Sequence, residues 1–334
     1  MTMHEGILPQ SDRFKKSLAS MDQSAYKVVK RNQLVVGFPI DEGVLYIQHV
    51  VDAGIMSPAY DVWDVDQNKV NLDYLELSLH SPQSMLYYKT NLRGTTARRR
   101  SLPKEVLLDL PLYIPGMSTQ KQIVRIISAV RELISQRQRQ LIVLDTLIKA
   151  RFVEMFGDSV SNPKGWRVIP WEGVFDTITG KLDSNAAVEG GEYPFFTCAK
   201  EWLWIDKYAY DCEALLLAGN NAAGVYDVKH YKGKFNAYQR TYILQLKDAD
   251  WSYSLFKYQL EDRLQYLQSQ SKGTNTRYLT MGILNSLAFI VPPKELQDEF
   301  KTLVSQVDKS KAAVQQALSK AQLLFDSLMQ QYFG

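Results

Sequence analysis

The chain has 334 residues, of which 46% are hydrophobic and 22% are charged, and its formal net charge is +3. This composition is typical of a globular protein of about two domains and excludes a disordered or collagen-like chain. No apolar run reaches the ~18 residues that a membrane span requires, and the N-terminus lacks a signal-peptide pattern, so a cytoplasmic protein is expected. The two cysteines, Cys198 and Cys212, lie apart in the sequence and are expected to be reduced thiols.

The first region of the chain is predicted to be rich in strands. Runs of β-branched and apolar residues predict strands at residues 27–30, 33–37, 44–51 and 59–65. The spacing of apolar residues in Leu72–Leu79 predicts a short helix, and residues 110–114 read as a further strand that ends at a Pro-Gly pair. Ser118 or Thr119 is expected to cap the helix that follows.

Two long segments share one heptad pattern. Aligning Gly157 with Gly334, an offset of 177 residues (334 − 157), places Gln120 on Gln297. In both segments apolar residues recur at alternating spacings of four and three, which predicts two amphipathic helices that pair along a seam. The predicted seam residues are Ile123, Ile127, Val130, Leu141 and Leu144 in the first copy and Phe300, Val304, Val307, Leu318 and Phe325 in the second.

Each seam carries one polar residue, and the two are staggered. Arg137 interrupts the first seam and Lys311 the second. The segments also carry mildly complementary charge, which favours pairing of one helix with the other rather than like with like. The two helices of the chain are therefore predicted to pair with each other.

The strand-rich regions are duplicated as well. The pattern from Tyr26 to Gly37 recurs from Tyr208 to Gly219 at an offset of 182 residues (208 − 26). The chain is accordingly predicted to be an α+β protein built from two copies of one unit, with a β-rich domain followed by a long helix in each. The predicted segments are a first domain at residues 1–117, a first helix at 118–157, a second domain at 158–294 and a second helix at 295–334.

The two copies are not equally complete. At this offset residues 158–182 have no counterpart in the first copy, and they include Pro163-x-Gly165-Trp166 and a predicted strand at 171–179. The first domain is therefore expected to be shortened at its N-terminus and to lack opening strands. A sheet without those strands has an exposed edge and is expected to be the less stable half.

No catalytic or metal-binding pattern emerges from the sequence. The histidines are scattered without metal-ligand spacing, and the glycine-rich stretch Gly219–Gly224 lacks the strand–GxGxxG–helix setting of a nucleotide site. We expect no cofactor, no metal and no catalytic residue.

Binding residues are better represented. Residues 93–104 contain five basic residues and no acidic residue, and their Gly-Thr-x-x-Arg loop recurs at residues 273–277. Arg and Lys pair with phosphates or guanine, Thr and backbone N–H groups fix the register, and Asn and Gln can read adenine. The predicted DNA contacts are Arg93, Thr95, Arg98, Arg99, Lys181, Asn220, Asn221, Gln239, Arg240, Lys272, Thr274, Asn275 and Arg277.

The duplicated order of these features resembles one family. Two β-rich units, each with a Gly-Thr-x-x-Arg loop before a matching long helix that ends in Phe-Gly, are similar to the specificity (S) subunit of type I restriction–modification systems. The resemblance implies two target recognition domains, each reading half of a split double-stranded DNA sequence. It also implies long helices that pair antiparallel and hold two methyltransferase (modification) subunits, which restriction subunits join, and a subunit without a catalytic centre. The family's domains open with a Pro-x-Gly-Trp-type segment, which is found at Pro163–Trp166 and not at the start of the first domain.

One alternative of a different class remains open. A duplicated coiled-coil scaffold whose β-rich units bind protein partners would show the same helices and the same repeat. Salt-dependent binding to duplex DNA separates the two interpretations, because counterion release accompanies phosphate contacts.

Overall fold

The computed structural model describes residues 1, 6–9, 24–92 and 102–334, and the chain divides into two compact units. Unit 1 comprises Met1–Gln140 and Val314–Gly334, and unit 2 comprises Leu141–Ala313. Both units combine helices with sheets, so the expected α+β class is confirmed. Each long helix contributes one half to each unit, whereas the predicted scheme treated the helices as separate segments.

Besides a 3-10 turn at Ile40–Glu42, the described residues of unit 1 form five short strands and three short α-helices before the first long helix. They are β1 (Lys27–Lys30), β2 (Leu34–Val36), β3 (Leu45–Ile47), β4 (Ala53–Met56), β5 (Asp61–Trp63), α1 (Leu72–Leu79), α2 (Pro82–Asn91) and α3 (Lys104–Leu108). β2 lies between β3 and β5 in an antiparallel sheet, and β1 pairs separately with β4. The apolar residues Leu34, Leu45, Leu79 and Tyr88 bring this sheet and the helices α1 and α2 into one core cluster.

Two local predictions for unit 1 are wrong. Residues 110–114 form no strand, because within the described residues no other strand pairs with them. Ser118 and Thr119 are not caps. The helix begins at Met117, and the Gln120 N–H already donates to the Gly116 carbonyl at 3.1 Å, which places Gly116 at the cap position.

Unit 2 contains a larger sheet and more helices. Its elements between the long helices are β6 (Arg167–Pro170), α5 (Trp171–Val174), β7 (Phe175–Thr179), β8 (Tyr193–Phe196), β9 (Leu203–Ile205), β10 (Tyr210–Ala218), β11 (Asn220–Asn221), β12 (Val228–Ala237), β13 (Thr241–Leu246), α6 (Tyr253–Asp262), α7 (Leu264–Gln270), β14 (Arg277–Tyr278), α8 (Met281–Leu284) and β15 (Ala288–Val291). The main sheet has the order β7-β13-β10-β12-β8-β9, with two further pairs, β15-β6 and β11-β14.

The opening of unit 2 differs from the predicted continuous strand at 171–179. The chain forms one helical turn, Trp171–Val174, before β7 begins at Phe175. The Trp171 side chain is 1% exposed and packs against Phe175 and Phe289, and its indole N–H donates to the Thr177 hydroxyl at 2.9 Å. The Trp171 backbone N–H donates to the Leu287 carbonyl at 3.0 Å. Burial of this indole in the core therefore turns the chain between β6 and β7.

The long helices α4 (Met117–Phe156) and α9 (Lys294–Phe333) each span 40 residues. In unit 1, Ile123 and Ile127 near the start of α4 share a core cluster with Met329 and Phe333 near the end of α9. Val130 is also buried, while Leu318 and Phe325 are half-buried. The start of one helix thus packs on the end of the other in this unit.

Unit 2 contains the opposite ends of both helices. Phe152 and Phe156 of α4 pack edge-on against Phe300 of α9, and Val304 packs against the same cluster. The Arg151 and Glu299 side chains pair at 3.5 Å, and the Lys311 ammonium forms a salt bridge with Asp145. Val307 is buried on the predicted seam, and Leu141 and Leu144 are half-buried there.

A buried glutamine at the fourth position of each long helix joins it to its own domain. The Gln120 carbonyl oxygen accepts from the Asn71 N–H at 2.7 Å, and its amide donates to the Pro115 carbonyl at 2.7 Å. In unit 2 the Gln297 carbonyl oxygen accepts from the Ser252 N–H at 3.0 Å, and its amide donates to the Pro292 carbonyl at 2.8 Å. Asn71 and Ser252 each precede the first residue of a helix, α1 and α6 respectively.

These contacts also correct the register of the duplication. Asn71 and Ser252 are 181 residues apart (252 − 71), one fewer than the predicted offset. The same offset relates Leu34 to Leu215, and each of the two lies in the core cluster of its own unit. A one-residue slip reverses which face of a strand is buried, so tertiary packing rather than sequence matching decides this register.

Candidate nucleic-acid interface

The predicted DNA-contact residues of unit 2 come from four separate segments. The first two are the short strands β11 and β14, which pair antiparallel with Asn220 opposite Tyr278 and Asn221 opposite Arg277. The Leu279 N–H continues this pairing by donating to the Gly219 carbonyl at 2.8 Å. The fold thereby places the two asparagines beside the second Gly-Thr-x-x-Arg loop.

That loop is closed by reciprocal backbone hydrogen bonds. The Lys272 N–H donates to the Tyr278 carbonyl at 3.1 Å, and the Tyr278 N–H donates to the Lys272 carbonyl at 2.8 Å. Gly273 has φ of 98°, and a Cβ there would lie 2.2 Å from the Thr276 carbonyl oxygen, so this position requires glycine. Thr274 and Asn275 are exposed between the two closing residues.

The third and fourth segments meet at the turn between β12 and β13. The Gln239 N–H donates to the Leu182 carbonyl at 2.8 Å, which holds Lys181 beside this turn. The Arg240 carbonyl accepts from the Gly219 N–H at 2.8 Å, directly before Asn220. A Cβ at Gly219 would lie 2.3 Å from that carbonyl oxygen, so only glycine permits the approach.

These backbone contacts create one continuous surface, which we call the basic edge of unit 2. Its members are Lys181, Asn220, Asn221, Gln239, Arg240, Lys272, Thr274, Asn275 and Arg277. All are exposed except the two asparagines, which are half-buried. Residues 57 positions apart in the chain (277 − 220) thus become neighbours, as a shared binding surface requires.

The positive charge of the basic edge is not neutralised within the described residues. None of the salt bridges found there involves Lys181, Arg240, Lys272 or Arg277. By contrast, Lys232 on β12 pairs with Glu213 at 3.1 Å. Exposed cations without carboxylate partners are suited to phosphate contacts.

Two predicted residues are partly engaged inside the protein. The Arg277 guanidinium donates to the Gln268 carbonyl at 3.3 Å. The Arg277 side chain also packs against Gly224, where an added Cβ atom would lie 2.6 Å from Arg277 Cδ. The Asn221 amide oxygen accepts from the Ala223 N–H at 2.8 Å. These contacts make Arg277 and Asn221 positioning residues for the edge, whereas Asn220 makes no side-chain hydrogen bond within the described residues.

One exposed aromatic residue at this edge was not predicted. Tyr278 is 39% exposed and lies directly opposite Asn220. Its position immediately after the Gly-Thr-x-x-Arg motif is the sequence signal that identifies it. An aromatic ring at a nucleic-acid surface can contact a base or sugar face, which adds a second type of contact to the cations.

The predicted residues of the first basic loop cannot be placed. Arg93, Thr95, Arg98 and Arg99 lie outside the described residues. The described chain stops at Leu92, just after α2, and resumes at Leu102, just before α3.

The described part of the chain contains no cluster of three or more His, Cys, Asp or Glu residues that could hold a metal ion. None of its helices combines the length and apolar composition that a bilayer-spanning segment needs.

Residues 163–322 match the family described as the type I restriction modification DNA specificity domain. The type I restriction enzyme EcoDI specificity subunit of Escherichia coli is 36% identical over 160 residues, which cover 46% of this chain and 34% of that protein. The matched part therefore spans about a third of this relative's length.

Two solved structures share the fold at low sequence identity. The type I restriction–modification S subunit from M. genitalium has a TM-score of 0.62 at 14% identity and covers 92% of this chain and 84% of its own. A second chain, from work on complex assembly and conformational transition of the type I system, has a TM-score of 0.52 at 19% identity and covers 92% and 83% of the two chains. Residues 163–322 are thus similar in sequence to type I DNA specificity domains, and the predicted resemblance to specificity subunits of type I restriction–modification systems is confirmed.

Proposed function

We propose that this chain is the DNA-recognising, non-catalytic subunit of a type I restriction–modification complex. The observation that carries the proposal is the basic edge of unit 2, where nine predicted contact residues from four segments adjoin one another. Its cations lack carboxylate partners among the described residues, and Gln239, Thr274 and Asn275 are exposed. Cations position a protein on the phosphates, while Asn, Gln and Arg side chains discriminate bases.

The duplicated architecture supports a bipartite target. We propose that unit 2 reads one half-site through its basic edge and that unit 1 reads the other through its own Gly-Thr-x-x-Arg loop. The two halves would be separated by a spacer that neither unit contacts. The target sequence itself follows from individual base contacts and is left to experiment.

The partners that we propose are two methyltransferase subunits, which dock on the long helices, and restriction subunits that join through the complex. Leu323 of α9 is 70% exposed, and Ile142 and Val143 of α4 are 65% and 64% exposed. Apolar side chains on an otherwise polar helix surface favour a protein contact.

Mapping methylated bases tests this proposal directly. The chain would be co-expressed with its methyltransferase subunit, and methylated positions would be read in exposed DNA. We expect two short fixed sequences separated by a constant spacer. Methylation at sites that share no sequence, or none at all from an assembled complex, would overturn the proposal.

A duplex-binding titration separates this function from a protein-binding scaffold. The logarithm of the DNA-binding constant of the assembled complex should fall linearly with the logarithm of the salt concentration. The slope is set by the number of phosphate contacts. A scaffold that binds only protein would show no such dependence. A complex in which Lys181 and Arg240 are both changed to alanine has lost two cations of the basic edge. Its binding constant should therefore depend less steeply on the salt concentration.

A further inference from the structure

One continuous segment of unit 2, which we call the opening segment, fills two strand positions. The segment spans residues 166–179 and comprises β6, α5 and β7. β6 pairs with β15, placing Val168 opposite Ile290, and β7 pairs with the outer edge of β13, placing Thr177 opposite Leu244. Trp171, in the turn between the strands, is buried against Phe289 of β15.

The counterparts of both strand positions can be located in unit 1. The shared glutamine contacts align Pro115 with Pro292 and hence residues 111–114 with β15. A second contact supports this alignment: the Tyr113 carbonyl accepts from the Tyr74 hydroxyl at 2.8 Å, as the Ile290 carbonyl accepts from the Gln259 amide at 3.0 Å. Residues 111–114 therefore occupy the position of β15.

This counterpart of β15 lacks a pairing strand among the described residues. Tyr113 is 74% exposed and Ile114 is 41% exposed, whereas Ile290, in the position equivalent to Tyr113, is 1% exposed. No backbone N–H of residues 112–114 donates a hydrogen bond within the described part of the chain. The exposed apolar side chains and free donors together form an open strand edge.

The side to which the backbone N–H and carbonyl groups of residues 111–114 point can be inferred from β15 of unit 2. Gln259 binds both the N–H and the carbonyl of Ile290, so these two groups point away from β6. Successive residues of a strand direct their polar groups to opposite sides, so Phe289 and Val291 face β6. By the same alternation, Leu112 and Ile114 direct their N–H and carbonyl groups to the open edge.

A second open edge lies on the three-stranded sheet of unit 1. β5 is the counterpart of β13, because Leu34 pairs with Trp63 as Leu215 pairs with Leu244. β13 is bordered by strands on both sides, while β5 ends its sheet within the described residues. The two edges left open in unit 1 are thus the two that one continuous segment fills in unit 2.

We propose that unit 1 binds a strand–turn–strand polypeptide segment supplied by a second chain. The first strand of that segment would pair with residues 111–114, and the second would pair with β5. The partner's chemistry is that of residues 166–179, namely two short apolar strands joined by a turn that carries a tryptophan. Backbone pairing supplies affinity in this mode, and the buried aromatic side chain supplies specificity. This surface of unit 1 takes a polypeptide, whereas the basic edge belongs to unit 2.

A synthetic peptide of residues 163–179, labelled at its N-terminus, tests the proposal with the full chain and without DNA. We expect saturable binding of one peptide per chain by fluorescence anisotropy. Hydrogen exchange should slow at residues 61–63 and 112–114 in the complex. Peptides carrying Ile169→Asp or Trp171→Ala should bind at least tenfold more weakly.

Chain variants locate the binding site. Ile114→Pro removes an N–H that faces the open edge, and Tyr113→Ala removes an exposed ring, so each should weaken binding at least tenfold. Leu86→Ala is the matched control, because Leu86 is a 63% exposed apolar residue on α2. Absence of binding, equal binding of the Ile169→Asp peptide, or protection confined to residues 241–246 and 288–291 would overturn the proposal.

Discussion

Two arginines at the basic edge of unit 2 have different surroundings. Arg240 is exposed, and its side chain makes no hydrogen bond within the described residues, although its backbone carbonyl anchors Gly219. The Arg277 guanidinium is hydrogen-bonded to the Gln268 carbonyl. A side chain that is already bound inside the protein contributes less to a ligand contact, so Arg240 is the better candidate for direct contact with DNA.

We therefore predict that Arg240→Ala weakens DNA binding by the assembled complex. A phosphate contact would lower affinity for all sequences and reduce the salt slope by about one, whereas a base contact would cost ~1–3 kcal/mol and relax one position. Binding titrations at several salt concentrations distinguish the two. Lys247→Ala is the matched control, because Lys247 follows the opposite end of β13 and pairs with Asp176 at 3.5 Å. Equal behaviour of both variants would exclude Arg240 from the interface.

A histidine inside unit 2 makes its stability depend on pH. Burial lowers the pKa of His230 below its ordinary value of 6.5, and the hydrogen bond to Glu213 at 3.0 Å offsets only part of this effect. The unfolded chain consequently takes up a proton on this histidine at higher pH than the folded chain does. The stability that neutral His230 contributes is complete above its ordinary pKa and is lost as pH falls through that value.

We predict that the free energy of unfolding of unit 2 declines as pH falls from about 7 to about 5. Burial opposes ionisation of Glu213, but hydrogen bonds from Lys232 and His230 outweigh it and lower the pKa of that carboxyl, which adds to the decline at lower pH. Urea unfolding at a series of pH values measures how the free energy of unfolding depends on pH. His230→Gln should reduce this dependence, and His49→Gln in unit 1 should not. A pH dependence unchanged by His230→Gln would contradict this assignment.

At the scale of elements, the buried glutamines connect each long helix to the domain that precedes it. Gln120 and Gln297 are 0% and 1% exposed, and each bridges the start of a short helix and the proline carbonyl before its own helix. Each long helix is therefore hydrogen-bonded to its domain through one buried side chain, in addition to its apolar contacts. The repetition of the same contacts in both units shows that the duplication extends to polar detail.

We predict that Gln120→Ala and Gln297→Ala each lower stability by about 1–3 kcal/mol, because each leaves a buried N–H and a buried carbonyl unsatisfied. Chemical denaturation measures the change. Gln122→Ala removes an exposed glutamine from the same helix as Gln120 and serves as the control. If Gln120→Ala were no more destabilising than this control, the proposed role of the contact would be wrong.

At the scale of the whole molecule, the two long helices are shared between units. α4 contributes its first part to unit 1 and its last part to unit 2, and α9 does the reverse. The core of each unit is incomplete without a segment that lies far away in the sequence. Damage to the helix seam should therefore affect domain stability as well as partner docking.

We predict that Ile127→Asp releases the proposed methyltransferase partner. Ile127 is 0% exposed in a cluster with Tyr74, Met329 and Phe333. An aspartate there would bury an unpaired charge, which costs on the order of several kcal/mol. Co-purification with the methyltransferase subunit measures the effect. Ala129→Asp, on an exposed position of the same helix, is the control. Recovery of the partner at the wild-type ratio with Ile127→Asp would contradict the role of the seam.

Features that depend on local patterns could be predicted from the amino-acid sequence. A heptad repeat sustained over about 40 residues predicts a long helix because every turn repeats the same apolar face. The helix at Leu72–Leu79 was predicted with its observed bounds for the same reason. The Gly-Thr-x-x-Arg loop was recognised because its motif recurs in both copies, and the backbone conformation at Gly273 accounts for the glycine.

Features that depend on residues distant in the sequence could not be predicted and follow from the folded structure. Residues 110–114 have the composition of a strand, but a strand needs a neighbour to bind its N–H and carbonyl groups, and the described chain offers none there. The register of the duplication shifted by one residue because packing selects which face is buried. Lys181, Asn220, Arg240 and Lys272 share one edge through backbone hydrogen bonds between segments that no local pattern connects.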